Sequence, residues 1–108
     1  MKTREFLHEV MALAWQFVRA NSFGMSDALK LAWINLKLKN EMENRIVRFR
    51  FVRVDGIVRE ASGTLDERLL PAPKGTDTRA KSEAVQVYYD IERGGFRSFR
   101  KVNLLSIA

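Results

Sequence analysis

The chain has 108 residues, 46% of them hydrophobic with seven phenylalanines, which suits one packed domain and is too apolar for a disordered chain. It contains no cysteine, which excludes disulfides, thiolate metal sites and cysteine nucleophiles and fits a reducing compartment. The net charge of +6 is uneven: residues 1–44 carry six Lys/Arg against five Asp/Glu, and residues 45–101 carry thirteen against eight.

The first apolar stretch is broken by His8, Glu9, Gln16 and Arg19. It does not read as a signal peptide, and no run approaches the roughly 20 apolar residues of a membrane span. A cytoplasmic protein with no membrane partner is expected.

Residues 3–20 predict a helix, with Thr3 as N-cap and Glu5 at the positive end of the helix dipole. Phe6, Val10, Leu13, Ala14, Phe17 and Val18 recur at helical spacing and make one buried face. The run Asn21-Ser22-Phe23-Gly24 interrupts it, with Asn21 or Gly24 suited to a left-handed cap. Ser26 and Asp27 then open a second helix, through Leu29, Ala32, Trp33 and Leu36 to residues 40–44. The short connection implies an antiparallel hairpin. Trp15 and Trp33 sit in apolar runs and read as core anchors; His8 reads as a helix-surface residue.

From Arg45 the period becomes two, with Val47, Phe49 and Phe51 alternating with Arg48 and Arg50. The slip at Phe51-Val52 predicts a bulge, and Asp55-Gly56 a type I′ hairpin turn. A second strand spans about 57–65. Residues 66–82, with Pro71, Pro73 and Gly75, predict a mobile loop with one turn at 66–70, which Leu69 and Leu70 would pin to the barrel. A third strand spans 84–92 with Val85, Val87, Tyr89 and Ile91 inward. Gly94-Gly95 turns into a fourth at 96–101, and a last strand covers about 103–107. The fold class is therefore α+β within one domain of 108 residues: a helical hairpin (1–44), then a small antiparallel barrel of about five strands (45–108).

The C-terminal sequence Gly94-Gly95-Phe96-Arg97-Ser98-Phe99-Arg100-Lys101-Val102-Asn103-Leu104-Leu105-Ser106-Ile107 resembles the closing strands of WYL-type domains. Residues 45–108 as a whole resemble a compact WYL-like family of bacterial and phage proteins. That resemblance implies an Sm-like or SH3-like barrel, and nucleic-acid or regulatory roles by analogy alone. The Trp-Tyr-Leu triplet that names the larger family is absent, so its ligand-binding role does not carry over.

The candidate site is a set of basic and aromatic residues on the first, third and fourth strands. Arg48, Arg50 and Arg53 lie close together, as do Arg97, Arg100 and Lys101. Tyr88 is a candidate exposed ring beside them, as is one of Phe96 and Phe99, which alternation sets on opposite faces, with Phe99 among the candidate site residues. Guanidinium groups meet phosphates and rings stack on bases, so this pattern points to single-stranded DNA or RNA. Two alternatives stand beside it. The arginines are also what a solvated strand face carries, balanced by Glu60, Asp90 and Glu92. The chain is also a candidate protein-interaction or self-assembling module, through apolar residues such as Phe23, Met25 or Trp33. No P-loop, dinucleotide fingerprint, nucleophile elbow or carboxylate pair is present in the sequence, so no catalytic residue, metal or cofactor is expected.

Overall fold

The computed structural model describes residues 3–70 and 84–107. Helices α1 (Thr3–Asn21) and α2 (Met25–Met42) precede strands β1 (Val47–Val52), β2 (Val58–Thr64), β3 (Val85–Asp90), β4 (Gly95–Arg100) and β5 (Leu104–Ile107), with a single 3-10 turn, Lys101–Asn103, before β5. The part of the expected mobile loop at 71–82 lies outside the described residues.

Val10, Leu13, Ala14 and Phe17 of α1 meet Ala28, Ala32 and Leu36 of α2 in one apolar cluster. Alanines at the contact let the two helices approach closely, and that closeness moves the bulky side chains to the rim. Trp15 and Trp33 are therefore not core anchors: each is almost half exposed, and Trp33 meets the Phe6 ring edge to face, with ring centres 5.0 Å apart. The link also differs from expectation. Ser22, with φ 59°, is the left-handed residue, and extended Gly24 is the N-cap, which places Ser26 inside the first turn of α2.

The five strands form one antiparallel sheet in the order β4-β3-β2-β1-β5. Neighbouring strands lie about 4.8 Å apart, so β1 and β4 would be roughly 14 Å apart in a flat sheet. Instead the Phe99 ring of β4 sits 5.3 Å from both Phe49 and Phe51 of β1, so the sheet curls around its own core. The curl is not closed by a ladder between β4 and β5, so among the described residues the barrel stays open between these two strands. The bulge expected at Phe51-Val52 is absent from the β1–β2 pairing, which runs regularly to Val52 opposite Val58; the irregularity lies on β5, where Leu105 is skipped between Ser106 opposite Arg50 and Leu104 opposite Phe51. The first hairpin departs from type I′. Gly56 alone has positive φ (89°), Gly56 N–H donates to Arg53 O, and Arg53 N–H donates to Ile57 O. That makes a loop of three residues rather than two.

Helix α2 stands over the barrel core, contributing Leu38 and Met42 to a cluster with Val47, Phe49, Phe51, Ala61, Tyr88, Phe99 and Leu104. Polar contacts hold it there. The Leu65 N–H donates to Met42 O at 2.8 Å, and the buried Thr64 Oγ1 lies 3.0 Å from Met42 O and 3.1 Å from Arg45 O. The end of β2 thus satisfies carbonyls that the helix C-terminus leaves unpaired. Buried Asn35 makes a second tie, its Nδ2 donating to Leu31 O and to Lys101 O, both at 2.9 Å. After β2, Asp66 closes the expected turn. It accepts from Arg68 N–H, Nε and Nη2, and these bonds hold its carboxyl below the ordinary range. It is this buried carboxylate, rather than Leu69, that fixes the segment; Leu69 is exposed.

Strand β3 presents the face opposite to the expected one. Tyr88 and Asp90 are buried, whereas Val87 and Ile91 are exposed. The cause lies on β2, where Ala61 and Gly63 leave a hollow on the inner face. A Cβ at Gly63 would stand 2.6 Å from Tyr88 Cδ2 and 3.1 Å from Phe49 Cε1, so only glycine admits the tyrosine ring. The Gly63→Ala variant should lose about 1–3 kcal/mol by overpacking. Urea unfolding checks this; an unchanged midpoint would show that the ring is not seated there.

Candidate nucleic-acid interface

The arginines of β1 alternate onto its outer face, as period two requires, but they are not alone there. The hairpin register sets Arg50 opposite Glu60 and Arg48 opposite Ser62. Arg48 Nε lies 2.8 Å from Glu60 Oε1, Arg50 Nε lies 3.4 Å from Glu60 Oε2, and Arg48 also reaches Glu92 at 3.5 Å. Arg53 pairs with Asp55 in the adjoining loop at 3.0 Å. These are solvent-exposed pairs, each worth about 0–1 kcal/mol, so their effect is chiefly to neutralise the patch. For β1, the balanced-surface alternative describes the arrangement.

Two of the proposed aromatic contacts lie in the core. Tyr88 is 1% exposed and Phe99 4%. Neither ring can stack on a base, because Phe99 packs on Phe49 and Phe51, and Tyr88 packs on Phe49 and Phe99. The polar surroundings of Tyr88 complete the reason for its burial. Arg59 Nη2 pairs with Asp90 Oδ2 at 2.9 Å, with Asp90 fully buried, and Asp90 Oδ1 accepts from the Glu92 and Arg93 N–H groups. Burial, and then the Asp90 charge, push the Tyr88 phenol above its ordinary range.

With Tyr88 inward, Tyr89 turns outward. Cross-strand pairing sets it opposite Phe96, and the two rings meet edge to face at 5.2 Å. Phe96 is 57% exposed. Along the same outer face follow Val87 opposite Ser98 and Val85 opposite Arg100. Four residues of strand separate Phe96 from Arg100, about 13 Å. Arg93 sits in the turn before β4, which left-handed Gly94 ends, and Arg97 projects from the other side of the edge strand. All three arginines are exposed, and among the described residues none of them is ion-paired. Lys101, partly exposed in the 3-10 turn, lies just beyond.

This barrel is matched by the model of the WYL_2 family, described as an Sm-like SH3 beta-barrel fold, over residues 35–105. The chain belongs to the WYL_2 family. No curated protein and no solved structure matches it. The WYL_2 match opens at Asn35, the residue that ties α2 to the 3-10 turn, so it takes in the half of α2 that stands over the barrel. An Sm-like SH3 barrel is a small binding module. No helix among the described residues is long and apolar enough to cross a membrane.

The eight expected site residues thus divide by position. Tyr88 and Phe99 are core, Arg48, Arg50 and Arg53 are neutralised, and Arg97, Arg100 and Lys101 lie on or beside the strand that carries Phe96. Tyr89 and Arg93 were missed. Tyr89 follows from the choice of face on β3, and Arg93 from the Asp90-capped turn. The two kinds of arginine separate on stability. Arg59→Ala strands a buried carboxylate and should cost roughly 3 kcal/mol. Arg48→Ala should cost under about 1 kcal/mol. Equal losses in chemical denaturation would contradict this division.

Proposed function

We propose that this WYL_2 barrel is a non-enzymatic module that binds single-stranded DNA or RNA in the cytoplasm, along the outer face of β3 and β4. The observation that carries the reading is exposed Phe96, braced by the partly buried Tyr89, on a hairpin whose exposed arginines have no acid partner among the described residues. A single strand offers unstacked bases and a continuous phosphate track. Phe96 supplies a ring face for a base, with Tyr89 holding that ring in place, and Arg93, Arg97 and Arg100 supply charge for phosphates on either side. The paired arginines of β1 have little part in it, since a phosphate would have to displace Glu60 or Glu92.

Such binding has a salt signature. Each phosphate contact contributes a slope of about −0.7 in log K against log salt for single strands. Fluorescence anisotropy with a labelled single-stranded oligonucleotide should therefore show steep weakening with salt. Arg97→Ala and Arg100→Ala should lower both affinity and slope, whereas Arg48→Ala and Arg50→Ala should leave the slope nearly unchanged. Phe96→Ala should lose about 1–3 kcal/mol at almost constant slope. A folded protein that binds neither single-stranded DNA nor RNA at low salt would refute the reading.

A further inference from the structure

The outer face of the β3–β4 hairpin is a short ladder of cross-strand pairs, and its middle rung differs in kind from the other two. Tyr89–Phe96 brings an exposed ring and Val85–Arg100 a charge, whereas the rung between them sets Val87 opposite Ser98. Val87 is 41% exposed, and Ser98 is exposed beside it. The Ser98 hydroxyl has no hydrogen-bond partner among the described residues. Rungs on one face lie two residues apart, about 6.8 Å, which is close to the span of one extended nucleotide. A single strand whose first base stacks on Phe96 therefore sets its next base over Val87 and Ser98.

We infer that this rung selects thymine among the pyrimidines and so favours single-stranded DNA, an assignment that rests on nucleic-acid binding at this hairpin. Arg93, Arg97 and Arg100 draw the phosphates to the β4 side, so a base reaches inward from β4 towards β3. Ser98, on β4, then lies by the sugar end of the base, and Val87, on β3, by its far end. In a pyrimidine the sugar end carries O2, to which the Ser98 hydroxyl donates. The far end carries the 4- and 5-positions, where the pyrimidines differ. Thymine sets its 5-methyl group on the Val87 methyls, an apolar contact that uracil lacks. Cytosine brings a 4-amino group to the same place. The valine side chain offers that donor no acceptor, so its desolvation goes uncompensated.

Fluorescence anisotropy of the full chain at low salt tests this, with labelled oligothymidylate, oligodeoxyuridylate and oligodeoxycytidylate of equal length. The first two differ by the methyl group alone, which isolates the Val87 contact from sugar and charge. The thymine strand should bind about fourfold tighter than the uracil strand, as one buried methyl predicts, and cytosine more weakly than thymine. Val87→Ala should bring the thymine and uracil strands to nearly equal affinity. Should that variant lose its native circular dichroism, Val87→Thr keeps the branched shape and should at least halve the preference. Ser98→Ala should weaken all three strands by about fivefold and leave their ratios unchanged. Phe96→Ala should weaken thymine and uracil strands alike, because the methyl contact lies on the next rung. Equal binding of the thymine and uracil strands overturns the inference and leaves nucleic-acid binding standing. A preference that survives the Val87 variants, or that vanishes with Phe96→Ala, overturns it as well. A folded chain that binds none of the strands and no RNA ends both.

Discussion

The seating of one ring decides which side of the barrel is chemically useful. Tyr88 enters the core because Gly63 has no Cβ to exclude it, and because Arg59 and Asp90 give its buried end polar company. Side chains on a strand alternate, so an inward Tyr88 commits Val87 and Tyr89 to the outside. Tyr89 then meets Phe96 across the β3–β4 ladder, and an aromatic platform stands on the edge strand. Moving the register by one residue would bury Tyr89 and turn both Tyr88 and Asp90 out of the core, breaking the buried Arg59–Asp90 pair. The cost of such a slip is therefore electrostatic as well as steric.

The same sheet sorts its cations by register. Where β1 and β2 pair, Glu60 lies between Arg48 and Arg50, and the turn after β3 brings Glu92 to the group. Where β3 and β4 pair, the two acids of the turn are already engaged: Asp90 inward with Arg59, Glu92 with Arg48. The arginines that have no acid partner among the described residues, Arg93, Arg97 and Arg100, thereby gather near the β4 edge. It is the placement of carboxylates, more than the number of arginines, that gives the barrel a directional charge.

Much of this architecture was legible in the chain. The heptad-like apolar spacing fixed both helices to within a residue or two, and the alternation Val47-Phe49-Phe51 fixed β1 and its inner face. The ending that resembles WYL-type domains was in keeping with the barrel and the family match, but the expected exposed Phe99 is buried. The face of β3 was not legible, because Val85, Val87, Tyr88 and Tyr89 offer apolar bulk to both sides. What settles it is a glycine on another strand. The β1 ion pairs were within reach but depended on the turn. A two-residue loop at Asp55-Gly56 would set Glu60 opposite Phe51, on the core face, whereas the three-residue loop sets it opposite Arg50. The exposed tryptophans were misjudged for a different reason. Helical spacing shows that a residue is near a contact, but not that alanines opposite have closed the gap and left the large ring outside.

The claim most open to direct test is that nucleic acid meets the β3–β4 hairpin, along its outer face and the β4 edge, rather than the arginines of β1. Aromatic and guanidinium resonances can be followed by NMR while a short single-stranded oligonucleotide is titrated into the folded protein at low salt. The account predicts that the Phe96 and Tyr89 rings and the Arg97 and Arg100 guanidinium groups shift together. The Tyr88 and Phe99 rings, sealed in the core, and the Arg48 and Arg50 groups, held by Glu60 and Glu92, should remain nearly in place. Shifts centred on the β1 arginines, with Phe96 and Tyr89 unmoved, would contradict it.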